Sequence, residues 1–174
     1  MQEESPSLRG VPYFGHLDAE ERAELEELLE PASFEQGEVI FEEGGPEGRL
    51  YVITSGTAEV YKSVLPGRRE HLATLEAPTV VGEMGLLTEP RAAASVEART
   101  PMEAYGIDRD SFLELLDADS PAACKVIYEI GRTLSERMAK TDRAVEKIIA
   151  RLEEADQASD ADVFRDHLIR EWAF

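Results

Sequence analysis

The sequence predicts an α+β protein: a short N-terminal helix, a middle of antiparallel strands folded as a sandwich, roll or barrel, and long C-terminal helices. Three observations carry this prediction. Hydrophobic spacing changes from helical to short β-type runs after Pro31 and returns to helical from Ser111. Turn residues (Gly37, the Gly44-Gly45-Pro46 cluster, Ser55-Gly56, Pro66-Gly67 and Pro78) cut the middle into pieces too close together for a βαβ array. The 174 residues are 43% hydrophobic and 32% charged, an ordinary globular profile for one domain with a helical extension. A domain near this size buries roughly 70% of its unfolded surface, so it needs neither disulfide nor metal to fold.

Taken in order, residues 1–12 hold two prolines and few apolar groups and read as a loose arm. A helix starts after Leu17. Asp18 can cap it, and Glu21 three residues later completes a capping-box pattern. Leu25, Leu28 and Leu29 form its apolar stripe, and Pro31 ends it. Strands are expected at Val39–Phe41, Leu50–Thr54, Thr57–Tyr61, Leu72–Leu75, Ala94–Ala98 and Met102–Ile107. Gly56 would serve a tight hairpin between Ile53 and Ala58.

The last third begins with a short helix over Ser111–Leu116. Asp119 or Ser120 then caps a long one with Pro121 at its first position. Ile127, Leu134, Met138, Thr141, Val145, Ile148 and Leu152 are separated by 7, 4, 3, 4, 3 and 4 residues, a heptad-like seam. A helix of about seven turns cannot bury such a seam on a small roll. Its distal half, from Thr141 to Leu152, is therefore expected to meet a second copy of the chain or the last helix. That last amphipathic segment is capped by Ser159 and carries Val163, Phe164, His167, Leu168 and Trp172.

Charge limits the function classes. Eighteen Lys plus Arg against 37 Asp plus Glu leave a net −19. Lys and Arg must displace counterions from phosphates for DNA to bind, so this field opposes DNA and anionic membrane surfaces alike. An anionic small ligand would need a locally positive site. Cys124 is the sole cysteine, which removes any disulfide framework or zinc spacing and points to the cytoplasm. It reads as a buried small hydrophobe. His16, His71 and His167 have no Ser, Cys or metal-ligand partner at motif spacing, so neither an enzyme nor a metal site is expected.

Two segments carry a resemblance. Gly37-Glu38-Val39-Ile40-Phe41-Glu42-Glu43-Gly44, continued by Arg49 to Tyr61, resembles the opening strands of the cyclic-nucleotide-binding β-roll. That roll is shared by the catabolite activator protein and the regulatory subunit of cAMP-dependent protein kinase. Leu72-Ala73-Thr74-Leu75 and Val81-Gly82-Glu83-Met84-Gly85-Leu86-Leu87-Thr88-Glu89-Pro90-Arg91-Ala92-Ala93-Ala94-Ser95-Val96 resemble the phosphate-binding cassette of that family. The resemblance spans about Tyr13 to Met138 and implies a jelly-roll-like antiparallel β-roll over 13–118, followed by hinge and dimerisation helices over 119–174. About 20 largely acidic residues follow Leu152, too few for a helix-turn-helix domain, so a stand-alone member without a DNA-binding domain is expected.

The cassette also makes sense chemically. A single helical turn at Met84–Leu87, entered through Gly82, leaves unpaired N–H groups at its start, and these suit an anion. Gly85 permits close backbone approach. Arg91 can neutralise a phosphate, Ala92 and Ala93 leave room for a ligand, and Glu83 can accept from a sugar hydroxyl. Carried over residue by residue, the resemblance implies that Glu83 takes the ribose 2′-OH and Arg91 the exocyclic phosphate oxygens. The backbone of Gly82, Met84, Gly85 and Ala92 would add contacts. Ala92 directly after the arginine leans towards cAMP over cGMP, and Arg137, Met138 and Thr141 are candidates to cover the base. No other cofactor is implied.

One departure stands out. Arg91 sits one place closer to Glu83 than in most relatives. If its segment is a strand, the slip turns the guanidinium to the opposite face; if it is loop, the side chain can still reach a phosphate. The leading expectation is a cyclic-nucleotide sensor acting on its C-terminal helices. The alternative is a ligand-free member of the same fold, working as a protein-interaction or dimerisation module.

Overall fold

The structure, a computed structural model, describes residues 8–88 and 91–155. It divides into two compact units, one running to Ile130 and one beginning at Gly131. The first contains a helix, eight strands, a single helical turn, a second helix and the start of a third.

Helix α1 spans Ala19–Glu26. Asp18 accepts from the backbone N–H groups of Glu20 and Glu21, and Glu21 accepts in return from the Asp18 N–H, so the expected capping box is present. The helix stops before Leu28 and Leu29, which are half-buried beyond its end and so are not part of a helical stripe. Pro31 lies instead inside strand β1 (Glu30–Phe34), a strand absent from the sequence expectation. β1 is an edge strand paired to one neighbour only, where proline's missing N–H removes no ladder bond.

The remaining strands are β2 (Val39–Phe41), β3 (Arg49–Ser55), β4 (Thr57–Leu65), β5 (Arg68–Glu76), β6 (Thr79–Val81), β7 (Ser95–Ala98) and β8 (Met102–Asp108). Helix α2 (Met84–Leu87) falls between β6 and β7, and helix α3 (Arg109–Asp117) follows β8. All pairings are antiparallel, in two four-stranded sheets of order β1-β8-β3-β6 and β2-β7-β4-β5. This is the expected jelly-roll-like architecture. Phe41, Ala58, Val96 and Ala98 from one sheet meet Ile53, Val81, Met102 and Ala104 from the other to form its core. Burying a side chain such as Ile53 completely is worth about 1.5–3 kcal/mol.

Three expectations are corrected. Gly56 does not close a hairpin, because β3 and β4 belong to different sheets. It turns the corner between them at φ +89°, where a Cβ would lie 2.5 Å from the Pro101 carbonyl oxygen. β4 and β5 run on to Leu65 and from Arg68, around Pro66-Gly67. The outer half of this ribbon is exposed, so no apolar alternation marked it in the sequence. Finally, the segment expected to be loose is packed from Leu8 onward. Leu8, Val11, Phe14 and Leu17 are buried at three-residue spacing, and each successive N–H donates to the carbonyl three residues back.

Asp108 caps α3, accepting from the N–H groups of Asp110 and Ser111. Helix α4 (Pro121–Ala155) opens on Pro121. Of the two candidate caps, Ser120 accepts from the Ala123 N–H, whereas Asp119 has a left-handed φ of 59°. The first unit extends beyond residue 118 because Ala122, Ala123, Val126 and Ile130 bury one face of early α4. Polar contacts tie this stretch to α1. Lys125 Nζ reaches both carboxylate oxygens of Glu21 at 2.6 and 2.7 Å, and the Ser120 hydroxyl donates to Glu24 at 2.7 Å. Cys124 faces outward and is exposed, contrary to the expectation of burial.

In the second unit Met138 and Ile148 are exposed, and Leu134 and Val145 are half-buried. The amphipathic segment from Ser159 to Trp172 lies outside the described residues. No described helix is long and apolar enough to cross a membrane, and no group of three potential metal ligands occurs among the described residues.

Candidate functional site

The site begins where β6 ends. Gly82 turns the chain at φ +88°, and a Cβ there would stand 2.5 Å from the Arg49 carbonyl oxygen and 3.0 Å from the Phe41 ring. Both the dihedral and the space exclude a side chain. Glu83 follows in helical conformation (φ −65°, ψ −28°) and is only 7% exposed. The single turn of α2 comes next, its Leu86 N–H donating to the Glu83 carbonyl. The first N–H groups of such a turn have no carbonyl within it to bond, so Met84 and Gly85 present donors at its mouth.

Gly85 is needed for a second reason. A Cβ there would lie 2.9 Å from both Cγ and the carbonyl oxygen of Glu47, in the turn between β2 and β3. The absent side chain lets the Gly45–Gly48 turn settle on α2. Glu47 is thereby buried to 6% exposure, and its Oε2 has no hydrogen-bond partner. Burial first, and the neighbouring Glu83 carboxylate second, push the Glu47 carboxyl up to about 7. From the other side, Arg109 at the start of α3 donates from Nε to the Gly85 carbonyl at 2.7 Å.

The residues after the turn are held by the same β2–β3 turn. The Ala92 N–H donates to the Gly45 carbonyl, and the Gly44 N–H donates to the Ala92 carbonyl. Arg91 makes an isolated bridge with Pro46. The segment before β7 is therefore loop, one of the two outcomes that the spacing left open. The Arg91 side chain is exposed, with Nη1 donating to the Gly44 carbonyl at 3.1 Å. Ala92 is buried in the core, and Ala93 is exposed while its carbonyl accepts from Lys62.

The fold thus gathers Gly82, Glu83, Met84 and Gly85 into one buried turn and sets Arg91 and Ala92 against residues 44–46. The Ala92 N–H, expected to be open to a ligand, is already engaged. Arg137, Met138 and Thr141 belong to the second unit; Met138 is exposed, and the Thr141 hydroxyl donates to the Arg137 carbonyl.

Two residues escaped the sequence reading. Glu47 sits in a Gly/Pro-rich turn, where a carboxylate is normally solvated, and its close approach to Gly85 is a tertiary contact that the local sequence does not show. Arg109 directly follows the Asp108 cap and carries no local signal of its target.

Chemically, the site offers backbone donors, a buried acceptor, a second buried carboxyl and one arginine held by a single backbone contact. It suits a small polar anion that also carries a hydroxyl.

Residues 31–119 match a family described as "Cyclic nucleotide-binding domain". The cAMP-dependent protein kinase regulatory subunit of Emericella nidulans is 34% identical over 63% of this chain and 26% of its own length. The chain therefore spans about a quarter of that relative. Among solved structures, the catabolite activator protein of Thermus thermophilus superposes with a TM-score of 0.70 at 26% identity, covering 79% of this chain and 62% of that one. The regulatory subunit of a cAMP-independent protein kinase A from Trypanosoma brucei gives 0.64 at 27% identity, over 72% and 44% respectively.

Proposed function

The chain belongs to the cyclic nucleotide-binding domain family, and from that membership we propose that it is a regulatory module binding a cyclic nucleotide, cAMP in preference to cGMP. Domains of this kind are regulatory, not catalytic. The observation that carries the reading is the Gly82–Leu87 turn, where two glycines that tolerate no side chain set a buried Glu83 beside open backbone donors.

In this reading Glu83 accepts from the ribose 2′-OH. The Met84 and Gly85 N–H groups meet the phosphate, and Arg91 leaves the Gly44 carbonyl to join them. That exchange gives up one backbone contact for a charge-assisted one. Exposed Ala93 keeps the approach open, while Ala92 packs in the core behind it. Covering of the base by Arg137, Met138 and Thr141 rests on the family resemblance alone.

A relay follows from Arg109. Its bond to the Gly85 carbonyl ties the ligand turn to the first residue of α3. A ligand that draws α2 inward pulls on α3 and, through Asp119 and Ser120, on the start of α4. Such a switch works only if the ligand binds the two arrangements with different affinity. We further propose that heptad-spaced positions on distal α4, with Met138 and Ile148 exposed, pair with a second copy in a cytoplasmic homodimer.

Isothermal titration calorimetry with cAMP and cGMP, wild type against Arg91→Ala, tests the proposal. Binding lost in the variant supports the sensor and the arginine's role. Binding that survives removes only that role. No heat, no thermal shift and no co-purified ligand would overturn the sensor. A second reading, a ligand-free interaction module, is favoured by the resting position of Arg91 and the added Glu47 carboxyl. It predicts that last outcome together with dimerisation that nucleotide does not alter.

A further inference from the structure

We infer that Glu47 is a proton-carrying member of the ligand site, so that an anionic ligand is taken up there together with a proton. This rests on the cyclic-nucleotide reading and extends it to a residue outside the cassette.

Glu47 is more than nine-tenths buried, its carboxyl carbon lies 3.1 Å from where a Gly85 Cβ would be, and Oε2 has no partner. A carboxylate that only supported the fold would be paired, because an unmatched buried charge is among the least favourable groups a protein can hold. The charged groups facing it do not relieve it. Glu83, from the ligand turn, is acidic and only 7% exposed. Arg91, alongside Pro46, holds the Gly44 carbonyl. Arg109, from α3, holds the Gly85 carbonyl by Nε and stands 3.5 Å from Asp110 by Nη1. Among the described residues, none makes an ion pair with Glu47.

A phosphodiester docking on α2 would add a third negative charge beside two carboxyls. Protonation of Glu47 removes one of the three and turns Oε2 from an acceptor into a donor, which a ligand oxygen can use. The bond formed is O–H at Oε2, the proton comes from solvent, and release of the ligand returns it. The carboxyl already stands at about 7 before any ligand arrives, so a nearby anion drives it further in the same direction.

The test is calorimetry of the full chain with cAMP at pH 6, 7 and 8.5, in buffers of differing ionisation enthalpy. We expect the wild type to take up a proton fraction that rises with pH, and its affinity to weaken above pH 7 towards tenfold per unit. Glu47→Gln, which keeps the shape and a donor, should bind with no uptake and a nearly flat profile. Binding without uptake in the wild type overturns the inference and leaves the nucleotide reading intact. So does unchanged uptake in Glu47→Gln. Should that variant misfold, the 13C shift of the wild-type Glu47 carboxyl decides. It must remain protonated to higher pH with cAMP than without, and an unmoved titration sinks the idea. Absence of binding at every pH overturns the nucleotide reading, and this inference with it.

Discussion

At the seam between α1 and α4, Glu21 accepts from Lys125 and from the Asp18 N–H, and Glu24 accepts from Ser120. At the Gly82–Leu87 turn, Glu47 and Glu83 are buried side by side, with no cation paired to Glu47 among the described residues. The chain holds a large excess of acid, yet it treats Glu21 and Glu47 in opposite ways. The Lys125 contact, then the Asp18 N–H, hold the Glu21 carboxyl below its usual range, whereas burial holds Glu47 above it. Paired carboxylates hold elements together. A buried carboxyl oxygen without a partner, as at Glu47 Oε2, costs stability.

The largest effect is expected at Gly82. Gly82→Ala puts a methyl group against the Arg49 carbonyl in a left-handed backbone conformation, and about 2–4 kcal/mol should be lost. Urea unfolding measures this, and an unchanged midpoint would show that the turn is loose. Nucleotide binding should vanish at the same time.

Next comes the pH dependence of Glu47. A carboxyl raised in the folded state stabilises most below its ordinary value, and that contribution disappears as pH rises through about 7. Glu47→Gln should therefore gain on the wild type between pH 5 and pH 8, by at most ~3 kcal/mol. Parallel unfolding curves at the two pH values would refute the burial of that charge.

Arg109→Gln leaves the Gly85 carbonyl without its donor, a loss of about 1–3 kcal/mol. Its sharper signature is in the relay. Hydrogen exchange in α3 and early α4 should respond to cAMP in the wild type and not in the variant. An equal response in both would remove Arg109 from the pathway.

The smallest effect is expected at the α1–α4 seam. Lys125→Met breaks an exposed pair, and whatever is lost should fade with added salt. Its pH dependence runs opposite to that of Glu47. Glu21 is lowered in the fold, so its contribution is present above the ordinary carboxylate range and is lost on acidification. A variant whose deficit grows at high salt would mean that Lys125 acts by packing, not charge.

Much of the architecture was legible from local pattern. Six strands were placed by short apolar runs between turn residues, and all six are present, several of them longer than expected. The Asp18 capping box and the Pro121 start of α4 were readable because caps act within four residues. The α2 turn was readable for the same reason, since Gly82 and Gly85 frame it directly. β1 was missed because Glu30-Pro31-Ala32-Ser33-Phe34 has no β-branched or alternating pattern; it is a strand only through its register with β8. β6 was missed because three residues between Pro78 and Gly82 are too few to show a period.

The site divides along the same line. Neighbours along the chain set where the Gly82–Leu87 turn lies, since a helix start and the glycines that frame it are local features. The tertiary structure alone decided that Gly56 turns between sheets, that Arg91 rests on Gly44, that Cys124 faces outward and that Glu47 is buried. Each of these depends on what another segment brings opposite, as Gly85 does for Glu47. Burial and charge environment are properties of such meetings, and a one-dimensional pattern records only one side of each.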